Sequence, residues 1–128
     1  MGAERPDVVV ALQAALMRAV GEFGADQRVE PLRARALATA AALDYVLMLA
    51  TGSAGARIAH DDAQRAIHDG ITRGVDDLLA CATAIAGIGS AAATRFAHET
   101  ARELQVVAAD EDLATDDRRF ALIVLANA

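Results

Sequence analysis

The sequence predicts an all-α fold: an antiparallel bundle of four main helices followed by a short C-terminal helix, with Ala-rich close packing. Three observations lead there. The 128 residues include 33 alanines but only two prolines, Pro6 and Pro31, and Ala is the strongest helix former while Pro is the weakest. Apolar residues recur at steps of three and four along successive segments. Between those segments stand glycines and capping residues where helices stop and start. The length fits a single helical domain over residues 1–128.

The first helix is expected to begin near Asp7, behind Pro6, and to lay Val9, Leu12, Leu16, Val20 and Phe23 on a core until Gly21 and Gly24 end it. The second opens at Pro31, a favoured first-turn position, and runs to about Ala50, before the loop Thr51-Gly52-Ser53-Ala54-Gly55. Between Ala36 and Ala50 only Thr39, Asp44 and Tyr45 carry polar side-chain atoms, the pattern of a central helix covered on several sides. The third runs from about His60 to Ala86. Ile67, Ile71, Val75, Leu78, Ala82 and Ile85 form its inner stripe, and Asp61–Arg65 and Asp69–Arg73 are spaced four apart outside. Gly70 and Gly74 stand four apart and open one spot where a second backbone can approach, or where the helix kinks.

Ser90 is expected to cap the fourth helix, which turns Phe96, Ala97, Ala101, Leu104 and Val107 inward and is broken by Asp110-Glu111-Asp112. Thr115, followed by Asp116 and Asp117, reads as the cap and dipole-matched first turn of a last helix carrying Phe120, Ile123 and Val124. Phe120 to Ala126 carries no charge and has some strand preference, but no second segment offers a partner strand.

Composition removes several function classes. All twelve basic residues are Arg and none is Lys, so an internal Schiff base and a Walker-type phosphate loop both lack their amine. Eighteen acidic residues give a formal charge of −6, and the aromatics are only Phe23, Tyr45, Phe96 and Phe120. A nucleic-acid partner is not expected, since that needs basic surface or stacking platforms. The longest uncharged run, Leu78 to Thr94, is 17 residues and contains two glycines, too short and too weakly apolar for a membrane span. The single Cys81 sits among apolar residues and suits a reducing compartment, and the first residues lack a secretion-leader layout. A cytoplasmic location is expected.

Candidate chemistry is sparse. His60, Asp61, Asp62, Gln64, His68 and Asp69 gather at the start of the third helix, with His60, Asp61 and His68 as acid–base candidates and His60, Asp62 and His68 as metal-ligand candidates. Their geometry is poor, because residues eight apart on a straight helix are separated by about 12 Å. A solvated, dipole-matched helix start explains the group as well. His98, with Arg95, Glu99 and Arg102, reads as a wet charged face. Gly87-x-Gly89-x-x-Ala92 lacks the preceding strand of a dinucleotide site, and neither Ser53 nor Ser90 stands in a strand-to-helix elbow. No cofactor is strongly indicated.

Asp44 interrupts the apolar second helix, so a carboxylate buried there is expected to pair with an Arg from another helix, cap an adjacent helix start, meet a second subunit or face a ligand pocket beside Tyr45. Asp44, Tyr45, Gly70, Gly74, Phe120 and Ile123 are the candidate interface or pocket residues. Narrow Ala-rich cores bury less apolar area than Leu-rich ones, and pairing with a second copy compensates. The sequence therefore reads as a non-enzymatic interaction module, self-associating or binding another protein. The alternative is a small metal-dependent enzyme or an effector-sensing domain, using the His60/Asp61/Asp62/His68 group or a pocket near Asp44.

Overall fold

A computed structural model describes residues 6–52, 58–110, 113 and 115–127. It contains α1 (Pro6–Phe23), α2 (Glu30–Ala50), α3 (His60–Ala86), α4 (Ala91–Asp110) and α5 (Asp116–Ala126), with no strand among the described residues. The uncharged C-terminal stretch is thus helical. Ser53, Gly55, Glu111 and Asp112 lie outside the described residues.

The helix ends follow from local chemistry. Pro31 occupies the first turn of α2, where no intrahelical N–H is needed. Ser90 Oγ accepts from the Ala93 N–H at 3.1 Å, and Thr115 Oγ1 accepts from the Arg118 N–H at 3.2 Å, so both expected caps are in place. Gly89 turns the chain from α3 into α4 at φ 84°, a left-handed conformation that favours glycine.

The bundle is organised around α3, which packs against all four other helices, whereas α2 touches only α1 and α3. This corrects the expectation that α2 is central. The inner stripe of α3, Ile67, Ile71, Val75, Leu78, Ala82 and Ile85, is fully buried and meets Leu12 and Leu16 of α1, Leu43 and Val46 of α2 and Leu104 of α4 in one core. Large branched side chains concentrated on α3 decide what is covered. The alanines at 34, 38, 41 and 42 of α2 face outward, where a methyl group exposes little area at about 25 cal/mol per Å².

Two glycines set the spacing of α3. A Cβ at Gly70 would stand 2.5 Å from Val46 Cγ2, and one at Gly74 would stand 3.2 Å from Leu12 Cδ1. The absent side chains thus seat α2 and α1 directly on the α3 backbone. On the other side, α5 buries Leu122 and Leu125, while Arg118 reaches back to α3 with a two-point grip on Asp76, Nε to Oδ1 at 2.8 Å and Nη2 to Oδ2 at 2.9 Å. The same guanidinium donates from Nη1 to the Leu113 carbonyl at 3.1 Å. Phe23 and Phe96 meet edge to face at 5.4 Å, and the Arg18 guanidinium stands 5.2 Å from the centre of the Phe96 ring.

Candidate functional site

The polar group at the start of α3 does not converge. His60, Asp61, Asp62 and His68 are all exposed, and Asp62 is engaged by Arg65 at 3.2 Å. That pair is three apart, in place of the expected Asp61–Arg65 pair. Among the described residues no group of three or more His, Cys, Asp or Glu is arranged to hold a metal ion. His98 lies half-buried beside Arg95, Glu99 and Arg102 on a wide, open depression along α4.

Asp44 has a cross-helix partner but is not buried, and that partner is Gln13 in place of an Arg. It is exposed, and its Oδ1 accepts from Gln13 Nε2 on α1 at 2.6 Å, while the same amide nitrogen donates to the Ala40 carbonyl at 2.7 Å. The buried carboxylate of this helix pair is Asp77 on α3. It accepts from Arg35 Nε at 2.7 Å on one oxygen and from the buried Thr39 hydroxyl on the other. Both donors lie on α2, one turn apart, so a single carboxylate fastens α2 to α3. Burial pushes the neighbouring Cys81 thiol above its ordinary range; the Asp77 carboxylate adds to that and Arg35 opposes it. A buried, proton-retaining thiol is a weak nucleophile.

Asp44 and Tyr45 do not share a pocket. Asp44 lines an open groove of about 470 Å³ between α1 and α2, with Val10, Ala14, Met17, Leu37 and Ala41. Tyr45 stands on the other flank of α2, at a cleft of about 280 Å³ against α3 whose wall includes Val46, Gly70, Asp69 and Arg73. Gly70 and Gly74 are engaged in intrachain contacts with Val46, Leu12 and Leu43.

One apolar feature spans two helices. Along α1, Val10, Ala14, Met17 and Gly21 are exposed at steps of four, three and four; along α2, Ala34, Ala38, Ala41, Tyr45 and Met48 are exposed at alternating steps of four and three. Val10 and Met17 are each 49% exposed, Tyr45 52% and Met48 46%. Arg18 and Glu22 are paired with each other at 3.3 Å at the far edge of α1, leaving Asp44 as the acidic group in the groove.

A second, shorter apolar surface lies on the α4–α5 hairpin. Phe120 is 71% exposed, with Ile123 and Val124 beside it and Val106 one turn from the end of α4. Exposure of Val106 is not anticipated by the sequence reading, which turns Val107 inward and leaves Val106 unassigned. No helix among the described residues is long and apolar enough to cross a membrane. Compared with known proteins, the chain matches no family model, no curated protein and no solved structure.

Proposed function

We propose that this chain is a non-enzymatic helical interaction module that self-associates through the outer face of α1 and α2. One observation carries the reading: two adjacent helices present a strip of Val, Met, Tyr and Ala over several turns, with four large apolar side chains about half exposed. Contiguous apolar surface of this kind is uncommon on a monomer and marks an interaction site. The alanines let an incoming backbone approach closely, and the half-exposed Met and Tyr supply adaptable and aromatic contacts typical of interface centres. The buried thiol of Cys81 is compatible with a reducing compartment such as the cytoplasm.

Sedimentation across a dilution series tests the proposal. The unmodified chain is expected to be a dimer, and Ala41→Arg, which places a charged side chain on an exposed position in the middle of the strip, weakens association about 100-fold or more with helicity unchanged. Phe120→Ser, on the opposite hairpin, leaves the dimer intact. A folded monomer at the highest soluble concentration, or a dimer lost with Phe120→Ser and kept with Ala41→Arg, overturns it.

A further inference from the structure

We propose, resting on the self-association reading above, that two copies meet with their α2 helices antiparallel, on a two-fold axis passing between Ala38 and Ala41, so that Tyr45 of each copy covers the partner's Ala34.

The spacing of the exposed seam on α2 supplies the first argument. Ala34, Ala38, Ala41, Tyr45 and Met48 follow the alternating four-three step that keeps one stripe facing a partner helix. Reversing α2 about its point midway between residues 39 and 40 maps Ala38 onto Ala41, Ala34 onto Tyr45 and Pro31 onto Met48. Tyr45 then meets an alanine and Met48 meets Pro31, and two alanines meet at the axis, where the backbones come nearest. Parallel pairing instead sets Tyr45 on Tyr45 and Met48 on Met48 at one end and alanines on alanines at the other, forcing the helices apart like a wedge.

Charge supplies the second. The first half of α2 carries Glu30, Arg33 and Arg35, and the second half carries only Asp44. Antiparallel pairing lays the Arg-bearing half beside the partner's Asp44 and opposes the two helix dipoles, whereas parallel pairing sets like charges side by side. Arg33, eleven residues before Asp44, shares its flank of α2 and is the guanidinium that nears the partner's Asp44, whereas Arg35 lies on the α3 flank, where it holds Asp77.

Area supplies the third. The 21 residues of α2 make a rod of about 31 Å, and with α1 alongside the face is about 20 Å wide. That footprint of about 600 Å² in projection approaches the roughly 800 Å² of accessible surface that each partner contributes to an ordinary stable interface. One helix alone is too narrow, which is why the α1 strip of Val10, Ala14 and Met17 belongs to the same contact.

The test is disulfide formation by engineered cysteines. In the antiparallel register Ala34→Cys/Tyr45→Cys forms a doubly linked covalent dimer on mild oxidation. Ala34→Cys alone links at least tenfold less, because the two copies of position 34 lie about 16 Å apart along the helix axis. The same separation prevents a bond between the two cysteines of one chain. The unmodified chain, whose Cys81 is buried, is the background control. Efficient linkage by Ala34→Cys alone overturns the antiparallel register while the dimer stands. A dimer by sedimentation that neither variant links places the contact elsewhere and also overturns the register. A monomer with no linkage removes the register and the self-association reading together.

Discussion

Helices α2 and α3 invert the usual relation between apolarity and burial. Between Ala36 and Ala50, α2 has only three polar side chains, yet it rests on two neighbours and leaves a flank open. α3 carries eight charged or His residues between Asp61 and Asp77 and is nonetheless the helix that touches every other. The difference lies in the size of the apolar groups and in the pairing of the charged ones. Ile67, Ile71, Val75, Leu78 and Ile85 are bulky and aligned, so covering them removes the most water-exposed hydrocarbon. Asp77, the buried acid of the bundle, and Asp76 beside it are each held by an Arg from another helix. Apolarity all round a helix, when it consists of methyl groups, is a weak signal of centrality.

The sharpest way to break this comparison is to remove one carboxylate from each helix. Asp77→Ala takes away the acceptor shared by Arg35 and Thr39 and strands a buried hydroxyl, with an expected loss of about 2–3 kcal/mol in urea unfolding. Asp44→Ala, on the more apolar helix, costs less than about 0.5 kcal/mol because its carboxylate is already solvated. Equal losses at the two positions remove the contrast.

Gly70→Ala probes the seam between the two helices. The added Cβ meets the stiff Val46 side chain, and overpacking of about 1–3 kcal/mol outweighs the helix-propensity gain of about 1 kcal/mol. A net loss of up to about 2 kcal/mol follows. Adding Val46→Ala relieves the collision, so the double variant loses less than the sum of the singles, and additive behaviour places the contact elsewhere.

The smallest effect belongs to Cys81. Its proton is held more tightly in the folded chain than in the unfolded one, so the associated stability is complete below the ordinary thiol range and is lost as pH rises through the raised value. Melting temperature should fall at alkaline pH in the unmodified chain and fall less in Cys81→Ala. A thiol reagent should label the native protein far more slowly than the unfolded one.

Much of the fold was legible in the residues themselves. Pro31, Ser90 and Thr115 mark helix starts by chemistry that acts within one turn, and the inner stripe of α3 needs only its own spacing. The polar fastening was not legible, because Arg35 and Asp77, like Asp76 and Arg118, stand 42 positions apart and become neighbours only once the helices are packed. A hint existed for Asp77: it falls four, then three residues along the line begun by Gly70 and Gly74, on the face that α3 turns to α2. The outward face of α2 was hidden for the opposite reason. Alanine is equally at home inside and outside, so its pattern alone did not say which side of the helix the other helices would leave bare.

The fork by which Arg118 grips Asp76 has a consequence for biosynthesis. A ribosome adds residues in order, so the Asp76 carboxylate lacks this guanidinium until a further 42 amino acids have been joined. The grip therefore closes a loop of 42 residues, and its two hydrogen bonds act against the entropy of that loop. The last rod is thus a latch, tying the end of the chain back to the helix at the centre of the bundle.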